Sequence, residues 1–114
     1  DSQRVVDYCE RHSESGFLSS LTFCTAAYVL RKFVGKEELP NMLKTLRMIF
    51  DVLPVSKGSV DWAIDSQMPD FEDAMQYECA SAAKMDVIVT RDKSGFAGSE
   101  IPVFTPTEFV FKYA

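Results

Sequence analysis

Apolar positions recur along the chain at helical and extended spacings, and glycine, proline or serine marks most of the places where one gives way to the other. From Asp1 to about Arg11, Val5, Tyr8 and Cys9 share one stripe and predict a helix. Gly16-Phe17-Leu18 is a short apolar run bounded by serine and glycine, and predicts a strand. Ser20 to Phe33 predicts a second helix on the stripe Phe23, Ala27, Leu30 and Val34, with Gly35 as its terminator. A third helix is expected from about Glu37 to Ile49, on Leu39, Leu43, Leu46 and Phe50. Pro40 falls in its first turn, where a missing N–H costs little. Asp51 to Val55 predicts a strand of mixed pattern, and Ser59 or Val60 to about Asp65 a short helix carrying Trp62 and Ile64.

The second half opens at Met68-Pro69-Asp70, a helix entry. Asp70 is a good N-cap and Asp73 follows at N3. That helix is expected to reach about Lys84. Asp86-Val87-Ile88-Val89-Thr90 is β-branched and predicts a buried strand. Residues 91–100 read as a loop, Pro102-Val103-Phe104 as a last strand, and Pro106 to about Phe111 as a terminal helical turn. Helices alternating with short apolar strands predict an α/β domain, its parallel sheet covered by helices on both faces. The strands expected at 16–18, 51–55, 86–90 and 102–104 are so short that the sheet reads as incomplete.

A chain of 114 residues fits a single domain. At that size roughly two-thirds of the unfolded chain's surface can be buried, enough for a core without staples. The apolar share of 46% and charged share of 25% exclude a disordered class. The longest apolar stretches, such as Ala26 to Leu30, fall far short of the ~20 residues a spanning helix needs. No signal-peptide pattern opens the chain. Cys9, Cys24 and Cys79 lack metal-type spacing, cannot all pair, and are expected to be buried packing thiols in a reducing compartment. These readings together predict a cytoplasmic protein with no membrane role. The net charge of −5 excludes a basic field for passive nucleic-acid binding. It leaves a nuclease open, because a site that holds metal cations is itself acidic.

The acids that carry chemistry are Asp70, Asp73 and Asp92. On a helix, positions 70 and 73 share a face in the first turn, where the positive end of the helix favours carboxylates. Glu72 is turned about 100° from Asp73 and is expected to point elsewhere. A helix over 70–84 is ~22 Å long, and a strand over 86–90 returns ~16 Å along it. Asp92 should therefore arrive beside Asp70 and Asp73, at the carboxyl end of the strand where α/β proteins collect ligands. Carboxylates gathered there repel unless a cation sits among them. Hard oxygen donors without His or Cys suit Mg²⁺ or Mn²⁺. Such an ion deprotonates water and offsets charge on a phosphodiester. Taken singly, Asp70 reads equally as a helix cap, Asp73 as a dipole partner and Asp92 as an ordinary loop residue.

The same residues carry a family resemblance. Asp70-Phe71-Glu72-Asp73-Ala74-Met75-Gln76, the run Val89-Thr90-Arg91-Asp92, then Phe96 and Ile101 to Phe109 resemble the C-terminal half of a PIN domain, in its VapC-like bacterial toxin branch. Leu18 to Thr22 and Tyr28 to Lys32 resemble that branch's middle segment. The resemblance covers essentially the whole chain. It implies a three-layer α/β/α fold and a Mg²⁺- or Mn²⁺-dependent endoribonuclease, a hydrolase acting on RNA. It also implies a homodimer and a small antitoxin partner. By position it makes Asp73 and Asp92 metal ligands and Asp70 an additional acid. PIN domains open with an apolar strand ending in Asp-x-Asn. Nothing of the kind is present, so the resemblance implies a single PIN-like domain lacking its first strand. The family's second acidic position falls near Thr25, a neutral residue.

Arg91 and Lys93 flank Asp92, and Lys57 follows the preceding strand. Each is a candidate for RNA phosphate, or a solvated surface cation. Ser19 and Thr25 are candidates for supporting the site or touching RNA. His12 near a helix end reads as a partner for the helix dipole, and Trp62 with Phe71 as core. The apolar faces of the first two helices suit a dimer or a partner helix. Two functions stand: an endoribonuclease cutting by metal-activated water, and a PIN-like module that binds a protein partner without cutting.

Overall fold

Four of the six α-helices start where a side chain accepts from the amide three residues further on. Ser19, Ser56, Asp70 and Thr105 each accept a hydrogen bond from the N3 amide of the helix they open. The computed structural model describes residues 1–114. In chain order the elements are α1 (Ser2–Arg11), β1 (Phe17–Ser19), α2 (Ser20–Leu30), α3 (Leu39–Ile49), β2 (Asp51–Leu53), α4 (Lys57–Asp65), α5 (Phe71–Ala82), β3 (Ile88–Val89), β4 (Val103–Phe104) and α6 (Pro106–Tyr113). A 3₁₀ turn, Lys93–Phe96, lies between β3 and β4.

The expected order of elements is present, and boundaries move for local reasons. α2 stops at Leu30 because the chain tightens there: Lys32 and Phe33 donate three residues back, to Val29 and Leu30. α4 starts earlier than periodicity predicts, because Ser56 and Ser59 form a reciprocal cap. α6 runs on to Tyr113 behind a second such cap, Thr105 with Glu108.

The architecture is mixed α/β with parallel strands, and the sheet is smaller than predicted. β1 pairs with β2 and β3 with β4, in two separate two-stranded sheets. The N–H groups of Ile88 and Thr90 donate to Pro102 and Phe104 on the β4 side. Strand alternation turns the peptide groups of Val89 the other way. Likewise Gly16 accepts from Asp51, which turns the peptide groups of Phe17 away from β2. A cleft of about 540 Å³ separates the halves, lined by Phe17, Leu18, Phe50, Val87, Ile88 and Val89 among others. The expected single central sheet is thus split, with inner edges that pair with nothing.

The core centres on α5. Ala74 and Met75 pack against Ala63 of α4, with Leu21, Val55, Val60 and Met68 around them. On the other side of the cleft, Tyr8 of α1 meets the Phe109 ring of α6 edge-on at 5.2 Å between centroids. Two expectations about packing fail. Trp62 and Phe71 are 42% and 50% exposed, so they are surface residues and not core. Cys24 is exposed, whereas Cys9 and Cys79 are buried. α2, apolar on nearly every side, buries no residue fully, and Tyr28, Val29 and Phe33 stay exposed around its C-terminal end. His12 does sit at a helix end, stacked on Tyr8 with Nδ1 2.8 Å from that residue's carbonyl oxygen.

Candidate active site

α5 begins at the mouth of the cleft, and its first turn carries the acids. Asp70 is the N-cap, and its Oδ1 accepts from the Asp73 amide at 2.8 Å. Asp73 follows at N3, half-buried, and lines the cleft with Glu72 and Gln76. Its carboxylate lies against Gly95 in the 3₁₀ turn, where no β-carbon intervenes. Gln76, one turn further, donates to Thr22 on α2 at 2.9 Å and ties the two helices together across the cleft mouth.

Asp92 comes in just beyond β3. Its Oδ1 accepts from the Ser94 amide at 3.0 Å and from the Ser94 hydroxyl at 2.6 Å. Those bonds hold the Asp92 carboxyl below its ordinary value. Asp73 moves the opposite way. Burial pushes its carboxyl up first, and the charges of Asp70, Glu72 and Asp92 push it further. The helix start and the strand exit bring Asp70 and Asp92 each within electrostatic range of Asp73. Glu72, expected to point away, adds more to the field at Asp73 than Asp92 does.

The donors are of the kind that hard divalent cations take, but the set is short. No group of three or more His, Cys, Asp or Glu side chains is gathered closely enough to hold a metal ion. Asp70 and Asp92 each commit an oxygen to capping, whereas the Asp73 carboxyl is shifted by burial and like charge and by no hydrogen bond. Chemically the carboxylates are donors that suit a hard cation such as Mg²⁺ or Mn²⁺, but geometrically they are not gathered into a site that holds one.

Ser19 and Arg91 line the cleft with Asp73, and Thr25 and Lys93 do not. Ser19 is buried and serves as the α2 cap, accepting from the Thr22 amide at 3.1 Å. Thr25 is exposed on α2, and Thr22, one turn earlier, makes the contact to α5 instead. Arg91 donates to the Ser2 hydroxyl at 3.1 Å and Lys93 pairs with Glu108 at 3.0 Å. Lys57 pairs with Asp61 at 2.7 Å. Sequence reasoning passed over Thr22, Ser94 and Gly95. An Asp92-x-Ser94 turn and a Gln76 one turn after Asp73 are the signals that could have found two of these contacts.

Fold and site define a class: an α/β protein with carboxylates where a helix starts and a strand ends. Residues 1–94 match the PIN domain family, and the chain belongs to it. It is 34% identical over 96 residues to ribonuclease VapC1 of Aquifex aeolicus (strain VF5), a match covering 80% of this chain. The match takes in 65% of that relative's own length. No solved structure matches the chain. No helix is long and apolar enough to cross a membrane.

Proposed function

We propose that this PIN domain is a toxin-type endoribonuclease that hydrolyses RNA phosphodiesters with Mg²⁺ or Mn²⁺. The observation that carries the reading is the state of Asp73: a half-buried carboxylate facing Asp70, Glu72 and Asp92 at the mouth of a cleft. A cation would relieve that repulsion. The relative's name, ribonuclease, supports the same reading. Asp73 is the principal ligand in this account, and Asp92 and Asp70 contribute their uncommitted oxygens. Bound there, the ion would acidify water and offset phosphate charge. Arg91 and Lys93 stand beside Asp92, where they would meet RNA phosphate by exchanging Ser2 and Glu108 for it.

The short ligand set belongs with the split sheet. We infer that the working protein is more than this single incomplete domain, with an extended segment in the cleft that pairs with the free edges of β1 and β3 and brings a further ligand. The exposed apolar end of α2 suits a homodimer or an antitoxin. A second reading, a PIN-like binding module without cutting activity, is favoured by the absence of a three-ligand cluster and by the neutral, exposed Thr25.

The test is cleavage of RNA by the purified protein with Mg²⁺ or Mn²⁺. The ribonuclease reading expects cutting that a chelator stops and that Asp73→Asn lowers by about 100-fold or more, the upper end of what losing a ligand's support costs. Cutting that Asp73→Asn leaves unchanged would end the site assignment. RNA left intact by the wild type would favour the binding module.

A further inference from the structure

A second cavity, of about 850 Å³, lies between the end of α4, the outer face of α5 and the 3₁₀ turn. Gly95 joins the two sites: it lines this cavity, and its α-carbon also abuts the Asp73 carboxylate. Trp62 and Tyr77 form an aromatic wall here, with ring centroids 5.7 Å apart and planes tilted by 34°. The Tyr77 hydroxyl accepts from the Glu100 amide at 3.3 Å, which fixes that ring. Glu78 also lines the cavity, and its Oε2 is buried without a hydrogen-bond partner.

A buried acceptor with no donor is rare, because it has lost water and gained nothing. No hydrogen bond holds the Glu78 carboxylate where it lies, so turning it out into the cavity breaks none and opens both oxygens to donors there. No Lys, Arg or His lines the cavity, and Asp65, Glu78 and Glu100 do, so phosphate is repelled. An aromatic wall in a cavity that a carboxylate also lines is suited to a nucleobase, stacked on a ring and held along its pairing edge. The bases differ in what they offer a carboxylate. Guanine presents two adjacent donors, N1–H and the 2-amino group, which match two carboxylate oxygens. Adenine and cytosine place a ring nitrogen acceptor beside their amino group, and uracil flanks its one N–H with carbonyls.

We infer that this cavity receives a guanine base, stacked on Trp62 and Tyr77 and held by Glu78 through N1–H and the 2-amino group. For RNA the inference rests on the proposed ribonuclease activity. A guanine docked here lies one residue from Asp73 and sets which phosphodiester meets the acids.

Trp62 is the only tryptophan, so intrinsic fluorescence reports on the cavity directly. Guanosine, adenosine, cytidine and uridine are titrated in turn against the whole protein. Guanosine is expected to quench saturably and to bind at least about tenfold more tightly than the others, the range expected of a two-bond base contact. Inosine, which lacks the 2-amino group, should fall between. Glu78→Gln is nearly isosteric and should lose the preference while its circular dichroism stays native. Asp73→Asn should bind guanosine as the wild type does. Equal quenching by all four nucleosides, quenching by none, or undiminished guanosine binding by Glu78→Gln would overturn the inference. Guanosine binding in a protein that leaves RNA intact would keep the cavity assignment and remove the nuclease. RNA cutting without guanosine binding would do the reverse.

Discussion

The α-carbon of Gly95 packs against the Asp73 carboxylate so closely that a β-carbon on residue 95 would collide with it. Gly→Ala at a permissive position stabilises by about 0.4–1 kcal/mol through the unfolded chain. Overpacking costs about 1–3 kcal/mol. The collision is with the end of a side chain anchored on a helix, so overpacking should win. Gly95→Ala is expected to destabilise the protein in denaturant unfolding. In an Asp73→Ala background the collision is gone, and the same substitution should become neutral or stabilising. Equal effects in both backgrounds would show that the two residues do not touch.

The raised Asp73 carboxyl makes a prediction about pH. The folded protein holds the Asp73 proton to a higher pH than the unfolded chain, whose carboxyl titrates near 3.8. Stability due to this group therefore falls as pH rises through the window just above that value. Asn cannot ionise, so Asp73→Asn should melt higher than the wild type at neutral pH. The difference should shrink to nothing once the pH drops below 3.8. Asp92 and Glu108, both held below their ordinary values, act the other way and lose their contribution as pH falls. They are present in both proteins and cancel in the comparison. Melting curves across the acid range measure this directly.

Ser19 separates a structural role from an RNA contact. It is 4% exposed, and it caps α2. Ser19→Ala should cost about 1 kcal/mol of stability, the usual worth of an N-cap. Any RNA-cutting activity per folded molecule should stay the same. A large loss of activity with unchanged stability would return Ser19 to the list of RNA-contacting residues.

The split sheet predicts an uneven pattern of amide hydrogen exchange. Ile88 and Thr90 donate to β4 and should be protected. In residues 1–114 by themselves Val89, between them, faces the cleft and should exchange much faster. Phe17 should behave like Val89. If all of these amides are protected alike, something pairs with the inner edges in solution.

What was legible in the sequence was what is decided locally. Asp70 as cap, Asp73 at N3 and Pro40 in a first turn depend on neighbours within a turn, and each is in place. The lengths of one helix and one strand put Asp92 within reach of the Asp73 charge, but not into a shared metal-holding group. Strand extent did not follow, because pairing is tertiary: β3 is two residues long where five were expected. Glu72 still acts on Asp73, because rotation about a helix sets direction but does not remove a charge from its neighbours. The partners of Arg91 and Lys93 are Ser2 and Glu108, distant in sequence, and no spacing announces them. Trp62 shows the limit of reading aromatics as core, since its ring lines a cavity and remains half open to solvent.

The measurement that bears most directly on the shared acidic pocket is the titration of Asp73 itself, followed by carboxyl ¹³C NMR. Neutralising a nearby charge, with Asp92→Asn, should bring the Asp73 pKa down towards 3.8, and Mg²⁺ added to the wild type should bring it down as well. An Asp73 titration indifferent both to residue 92 and to Mg²⁺ would mean that the helix start and the strand exit do not share a cation site.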